Sequence, residues 1–589
     1  MRVSLGALLR RLGHWMRPTV SGRAMLAAFG AGMLVASGQA PWGFWMLSLA
    51  GLTGLFWLVL RGRAPGWSGF AAGAGYGALA LNWIVSPFFV DAARDGWMAP
   101  FALIFMAAGM GSFWGIGLRF GVIIACPTGL VRRARPGRDP RFTGFPPLRA
   151  CFMALGMATG LCASDLVRSY VLTGFPWALL GHVWVGTPLM QFASVLGPLG
   201  LSMALALPAA GIALLLSRPN FSVRQPRGVG QRMPLGLAVL AIACVAVMPA
   251  AWVWGLERLS LPQAPREPAL TLRLVQPNAP QHLKWRRDMM SYFFTRALDL
   301  TEAPSRGAMP DLVIWPETTA PFWLDQPGYG LEEIAEAARQ AATRNMPQFD
   351  ALDPKGVIGE AVSAAPPHSP LPPPVALGIQ RADGTRYYNS MALINPDASI
   401  GPVYDKFHLV PFGEYLPLGD LLAKIGISAF AAQAGHGYTA GPGAQVLDLG
   451  RLGKVQPLIC YEAVFPQDLR AAPERPDWVM QITNDAWFGS SSGPQQHLAQ
   501  AQLRAVEMGL PVARAANTGI TAMIDPYGRI TGALALDTRG VLDVTLPAAL
   551  PETPYARWGD LPMFIIISVF AALLGVFRRY GVDPGPPAV

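Results

Sequence analysis

Three short stretches close an apolar run on a group able to do chemistry: "DLVIWPE" on Glu317, "GPVYDK" on Lys406 and "KVQPLIC" on Cys460. In layered α/β proteins the carboxyl ends of strands and the loops after them form the functional rim. A carboxylate, an ammonium and a thiol meeting there can transfer an acyl group without histidine. A cysteine thiol ionises at roughly pH 8.5, so at neutral pH it needs a base or a local field to become a nucleophile. Glu317 is the candidate to take that proton. Lys406 is the candidate to meet the negative oxygen of a tetrahedral intermediate, helped by the backbone N–H of Tyr461.

Each residue also has a plainer reading. Glu317 alone could cap a helix or pair with a cation, Lys406 could be solvated, and a free cysteine is often a small buried hydrophobe. The other cysteines, Cys126, Cys151, Cys162 and Cys244, lie in or beside apolar segments and read that way. Cys460 is different, being the only cysteine after Glu257, flanked by Tyr461 and Glu462. An unpaired thiol outside the cytoplasm is exposed to oxidation and unusual there. Metal chemistry has little support: His282, His408, His436 and His497 show neither HExxH nor Cys/His ligand spacing. His408 in "DKFHLVPFGEYLP" reads as structural in preference to a general base. No Gly-rich loop sits between a strand and a helix where a phosphate would bind, so neither a cofactor nor a metal is expected.

The elements that must hold these groups lie between residues 257 and 558. Strand-like runs include "LTLRLVQPN", "DLVIWPE", "PVALGIQ", "YNSMALINP", "GKVQPLICYE", "DWVMQITND" and "GLPVARAANTG". Helical patterns such as "GLEEIAEAARQAATR" and "SSGPQQHLAQAQLRAVEMGL" alternate with them, which indicates a layered α/β fold with a mixed sheet. "GTRYYNSMALINPDASIGPVYDK" predicts two strands joined by the turn residues "NPDAS". The Pro-rich "LDPKGVIGEAVSAAPPHSPLPPP" reads as a surface excursion.

Around that domain the chain changes character. Of its 589 residues 52% are hydrophobic and only 14% charged, against about 25% charged in soluble proteins. Apolar segments at 24–42, 45–60, 70–90, 97–124, 151–171, 190–216 and 235–256 precede the domain, and one at 561–577 follows it. Each has roughly the length a bilayer demands. The sequence therefore predicts a membrane domain over 1–256, a globular domain over 257–558, and a last span with a short tail over 559–589.

The net charge of +10 does not point to nucleic acid. The arginines cluster in short loops such as "LRRLGHWMR", "RRARPGRDPR" and "SRPNFSVRQPRGVGQR", where membrane topology selects positive charge. With those loops inside, both termini are cytoplasmic and the domain is extracytoplasmic. Asp165 and Arg168 in "CASDLVRSY" are either a paired structural charge or part of a passage. "TGFPWALLGHVW" reads as an interfacial loop with aromatic anchors.

The ordered set "VQPNAPQHLKW", "LVIWPETTAPF", "YDKFHLVPFGEYLP", "LICYEAVFP", "ITNDAWFGSSSGPQQHL" and "RAVEMGLPVARAANTGITAMIDPYGRI", spread over residues 275–530, resembles the nitrilase (carbon–nitrogen hydrolase) superfamily. Spans, domain and final span together resemble the bacterial apolipoprotein N-acyltransferases. The resemblance implies an α-β-β-α sandwich on eight transmembrane helices in the bacterial inner membrane, with the catalytic domain in the periplasm. It implies a Glu–Lys–Cys triad of Glu317 as base, Lys406 as oxyanion partner and Cys460 as acylated nucleophile. Glu414, Tyr461 and Glu462 match supporting active-site positions, and Trp285 matches a tryptophan on a substrate-covering loop. The Pro-rich insert between base and lysine departs from the family pattern. The implied reaction passes an acyl chain from a membrane phospholipid, through a thioester, to the α-amine of a diacylglyceryl-modified N-terminal cysteine on an apolipoprotein. A membrane-tethered amidase acting on a soluble substrate would use the same triad, and a transporter or receptor would leave the thiol unreactive.

Overall fold

The computed structural model describes residues 21–61, 64–125, 146–217, 235–305, 307–344, 371–415, 417 and 437–580. The Pro-rich insert, apart from its last residues, and the arginine-rich loops "LRRLGHWMR", "RRARPGRDPR" and (beyond Ser217) "SRPNFSVRQPRGVGQR" lie outside the described residues. Contacts divide the chain into two compact units. One comprises Met1–Val85, Trp97–Ser260 and Asp560–Val589, and the other Ser86–Gly96 with Leu261–Gly559.

The first unit is helical: α1 (Gly22–Ala36), α2 (Trp45–Leu60), α3 (Pro65–Ala80), α4 (Ala99–Ala125), α5 (Pro146–Tyr170), α6 (Ala193–Leu216), α7 (Leu235–Ser260) and the terminal helix Leu561–Tyr580. All eight apolar segments contain a helix. Among the described residues, four stretches are both long and apolar enough to cross a bilayer: Ala92–Ala125, Arg149–Tyr170, Pro188–Leu216 and Leu235–Ser260. Gly22–Ala36, Trp45–Leu60 and Leu561–Val576 are apolar but shorter. The segment expected at 70–90 divides, because α3 stops at Ala80 and a 3-10 turn, Asn82–Phe89, takes over with Pro87 inside it. Proline lacks the N–H that would continue an α-helix.

Small residues explain how this unit packs. A Cβ on Gly32 of α1 would fall 1.8 Å from the Ala72 carbonyl oxygen of α3, and one on Gly121 of α4 would fall 1.9 Å from that of Gly156 in α5. Helices approach this closely only where side chains are absent, the usual device when lipid removes the hydrophobic drive for association. Cys151, Cys162 and Cys244 are buried here with free thiols.

Two sequence readings are resolved inside this unit. Arg168 donates to the carbonyls of Phe175 and Trp177 at 2.6 Å each, to Ala178 at 3.2 Å, and to Asp165 at 3.1 Å. Asp165 accepts from Leu180 N and the Ser202 hydroxyl. The pair thus satisfies the backbone of a non-helical segment, which is the structural alternative. Burial corrects the reading of the aromatics of "TGFPWALLGHVW" as belt anchors. Trp177 and Trp184 are fully buried, Trp177 against Trp83 and Trp184 against Trp45. Irregular backbone is tolerated inside an apolar bundle only when its polar groups are met, and Arg168 and Asp165 meet them.

The second unit holds two six-stranded sheets. The first contains β1 (Thr271–Gln276), β2 (Leu312–Ile314), β3 (Val375–Asp383), β4 (Arg386–Ile394), β5 (Ile400–Asp405) and β12 (Gly540–Thr545), in the order β12-β1-β2-β3-β4-β5. The second contains β6 (Leu447–Asp448), β7 (Lys454–Ile459), β8 (Trp478–Thr483), β9 (Val512–Ala516), β10 (Thr521–Ile524) and β11 (Ile530–Leu534), in the order β11-β10-β9-β8-β7-β6. Each has a parallel centre, β1-β2-β3 and β7-β8-β9, with antiparallel flanks.

Strand alternation builds the layers. Leu272, Leu274, Leu312 and Ile314 face inward and share a core with Val455, Ile459, Met480 and Ile482 of the other sheet. Val275, Val313 and Leu377 face outward, under α8 (Arg287–Glu302) and α9 (Gly330–Arg344). In α9 the buried stripe Leu331, Ile334, Ala338, Ala341 repeats at helical spacing, as its sequence predicts. On the far side α10 (Gly493–Met508) covers Leu458, Val479 and Val512 through Leu498, Ala501 and Ala505. The order is helix, sheet, sheet, helix.

Candidate active site

The parallel strands of both sheets run toward one rim, and the three reactive groups follow their ends. Beyond β2, Pro316 leads to Glu317, and Thr318 then turns the chain with φ +48°. Positive φ is a true outlier for a β-branched residue. The turn lies on β3, whose Gly378 carbonyl accepts from Thr319 N at 2.9 Å and Ala320 N at 3.2 Å. A Cβ on Gly378 would sit 2.4 Å from Thr318 N and 2.5 Å from Glu317 Cα, so only glycine allows this approach. Lys406 directly follows β5. Cys460 directly follows β7, with φ +51°, at the start of a 3-10 turn. Strain at such positions is tolerated where the surroundings over-determine it.

The side chains converge in a buried cluster. Lys406 Nζ lies 2.8 Å from the Glu414 carboxylate and 3.8 Å from Glu317 Oε1. Asn389 Nδ2 bridges the two acids, donating to Glu317 Oε1 at 2.7 Å and Glu414 Oε1 at 3.0 Å. Asn484 N donates to Glu317 Oε2 at 2.8 Å, and Val410 N to Glu414 Oε2 at 2.8 Å. Lys406 is 1% exposed, and Glu317, Cys460 and Glu414 are each 7% or less. Burial alone would push the Lys406 ammonium down, but Glu414 and Glu317 outweigh it and raise the group above the ordinary lysine range. The two carboxylates thus favour the charged form of Lys406. Burial, with Glu317 beside it, pushes the Cys460 thiol well up, while Lys406 and a hydrogen bond from Thr483 pull the other way. At rest Cys460 is therefore a neutral thiol.

The supporting residues divide by contact. Glu462 touches the site through the backbone. Oε1 accepts from Tyr404 OH at 2.9 Å, Phe407 N at 2.8 Å and His408 N at 3.2 Å, and Oε2 accepts from Ile459 N at 2.7 Å. It ties the end of β7, just before Cys460, to the loop after Lys406. Burial drives its carboxyl up to about 7 against those donors and Lys406. The Tyr461 ring packs edge-on against Phe465 and His408. His408 itself stacks on Phe465 and meets Asp468 at 2.8 Å. Trp285 is half-buried in a cleft with Lys284, Met290, Phe293, Thr318 and Pro321, beside the Glu317 turn.

Behind Cys460 sits a second buried network. The Cys460 carbonyl lies 3.1 Å from His497 Nε2, and His497 Nδ1 lies 2.9 Å from Asp485 Oδ1. Asp485 also accepts from Thr483 at 2.9 Å and pairs with Arg514. Burial opposes ionisation of Asp485, but Arg514 and His497 overcome it and hold the carboxyl down to about 2. Asn389, Asn484, Lys284, Asp485 and Arg514 had no role in the sequence reading, and His497 entered it only as a histidine without metal-ligand spacing. For Asn389, Asn484, Asp485 and Arg514 the available signal was a polar residue in or at the end of a strand pattern, which strands disfavour unless a partner is waiting; Lys284 and His497, on helices, gave no such signal.

The comparisons agree with this architecture. Residues 271–555 match the carbon–nitrogen hydrolase family, and residues 31–211 match the apolipoprotein N-acyltransferase N-terminal domain. The chain is 34% identical to an apolipoprotein N-acyltransferase of Bradyrhizobium diazoefficiens, over 97% of this chain and 98% of that one. It is 33% identical to that of Brucella melitensis, with 94% and 96% covered, and 33% identical to that of Caulobacter vibrioides, with 92% of each covered. Identity at this level over nearly the whole length, with the N-terminal part matched as well, places the chain in the apolipoprotein N-acyltransferase family.

Proposed function

We propose that this enzyme moves an acyl chain from a membrane phospholipid onto Cys460 and then onto the α-amine of a diacylglyceryl-modified N-terminal cysteine of apolipoproteins. The observation that carries the reading is the buried cluster in which a charged Lys406 and the Glu317 carboxylate both act on one neutral thiol. Glu317 accepts the thiol proton as sulfur attacks the ester carbonyl carbon. Lys406 and the Tyr461 N–H meet the oxyanion, a role worth about 3–4 kcal/mol per donor in comparable sites. The intermediate collapses with cleavage of the ester C–O bond, and the departing lysophospholipid takes the proton from Glu317. In the second half the neutral amine attacks the thioester and gives its proton to Glu317. The C–S bond breaks, Cys460 recovers its proton, and an amide remains. Atoms and charge balance without a cofactor.

Glu317 is favoured over Glu414 as base because its charge bears on the thiol, whereas Glu414 is committed to Lys406 and Val410 N. Trp285 is assigned to substrate contact and Glu462 to holding the loop and strand ends. Both substrates are lipid-anchored, and each acyl CH₂ kept from water is worth about 0.8 kcal/mol, which gives the helical unit its purpose. We assign eight spans, a membrane domain over 1–256, a periplasmic catalytic domain over 257–558, and a final span with cytoplasmic tail over 559–589. The setting is the bacterial inner membrane with both termini in the cytoplasm. The amidase alternative is disfavoured by the match of residues 31–211, since a simple tether needs one span.

Intact-protein mass spectrometry after incubation with phospholipid alone tests the first half. An acyl-sized gain that hydroxylamine removes is expected in the wild type and absent in Glu317→Gln. No adduct on the wild type would contradict the proposal.

A further inference from the structure

The segment 279–285 grips the Glu317 turn from two sides. Lys284, 6% exposed, sends Nζ to the Glu317 carbonyl at 3.1 Å and to the Thr318 hydroxyl at 2.8 Å. Thr318 is the residue at which the backbone turns through positive φ, and Glu317 directly precedes it. From the other side Gln281 Oε1 accepts from Asn484 Nδ2 at 2.7 Å, and Asn484 N holds the Glu317 carboxylate. Asn517 closes the frame, donating to Asn484 Oδ1 at 2.9 Å and to the Ala279 carbonyl at 2.7 Å. Trp285 follows Lys284 directly, its ring 5.5 Å from the Lys284 nitrogen.

We infer that 279–285 is a clamp that sets the orientation of Glu317, with Lys284 as its positioning residue, so that the segment carrying Trp285 and the base are placed together. A turn strained at Thr318 needs such a hold, because without donors at the Glu317 carbonyl and Thr318 hydroxyl the backbone relaxes and the carboxylate leaves its line to the thiol. A donor at one of these atoms alone would fix the turn less well; the ammonium reaches both. The inference rests on the reading of Glu317 as base. Support comes from titration. Burial lowers Lys284 to about 8, with Glu317, the charge that faces it, opposing. The ammonium and its charge-assisted bonds are thus present below pH 8 and lost as pH rises through it.

The test measures the initial rate of thioester formation from phospholipid alone, by intact mass, between about pH 6 and pH 10, alongside thermal midpoints in detergent. Lys284→Met keeps the stem and removes the donors. Its rate should fall by about 10- to 100-fold, the scale of a misplaced catalytic group. Lys284→Arg should restore most of that rate and should lack the decline that the wild type shows through about pH 8, because guanidinium stays charged. A Lys284→Met rate indistinguishable from wild type overturns the inference. So does a Lys284→Arg profile that keeps the wild-type decline, since Lys284 would then be structural only. If Glu317→Gln itself forms thioester at the wild-type rate, the assignment of the base has failed and the clamp with it. Loss in Glu317→Gln with no loss in Lys284→Met isolates the failure to the clamp.

Discussion

Asn389 is the smallest part on which the cluster depends. One amide nitrogen serves two carboxylates that would otherwise share Lys406 with only their own repulsion between them. Asn389→Leu should retain the fold but slow thioester formation by about 100-fold, because Glu317 loses one of its two orienting donors. The same mass assay reads this, and an unchanged rate would show that Asn484 N and Lys406 suffice. The three reactive residues were legible because each closes a strand pattern, a feature of primary sequence. Asn389 was not, because its meaning depends on register. It stands opposite Gln380 in the β3–β4 ladder, and its carbonyl accepts from Lys406 N. "YYNSMAL" read alone looks like any strand with one misplaced polar residue.

At the scale of elements, the nucleophile turn is fixed by two devices. Glu462 ties the end of β7 to the loop after β5, and the Arg514–Asp485–His497 network backs the Cys460 carbonyl from β9, the turn after β8, and α10. Arg514→Met would leave the Asp485 carboxylate buried beside one neutral histidine, which costs about 3–5 kcal/mol. The expected outcome is a large fall in the thermal midpoint of the purified protein, and a midpoint within experimental scatter of wild type would refute the assigned role. Glu462→Gln should be milder, because the amide oxygen still accepts at one end while its NH₂ meets a backbone donor at the other. A loss of about 1–3 kcal/mol is expected, read as a smaller drop in the same midpoint. Most strands named from sequence have buried centres, and the half-exposed β5 was marked by the turn residues before it. β10 has four residues, and β11 and β12 are half-exposed edges with mixed polarity, so no periodic signal marked them. β6, with two residues, is defined by its pairing with β7 alone.

Over the whole molecule, composition announced a membrane protein, while helix lengths did not follow from it. Gly22–Ala36 and Trp45–Leu60 are shorter helices than the apolar runs around them suggested, and Trp177 to Trp184 packs inside the bundle although its aromatics suggested a surface belt. Hydropathy counts apolar residues and is blind to the Arg168–Asp165 contacts that let irregular backbone be buried. Topology is open to direct trial. A membrane-impermeant thiol reagent applied to intact cells should label a cysteine introduced within 364–370 and spare one within 132–138, and the reverse pattern would overturn the sidedness. The most direct test of the central claim is transfer of labelled acyl chain from phospholipid to a diacylglyceryl-cysteinyl peptide by purified, folded Cys460 variants. Cys460→Ala should transfer none. Cys460→Ser should turn over little and at most trap an ester, because an alcohol is a weaker nucleophile and an ester a poorer donor to an amine. Transfer by Cys460→Ala at a rate near wild type would contradict the account of Cys460 as the acyl carrier.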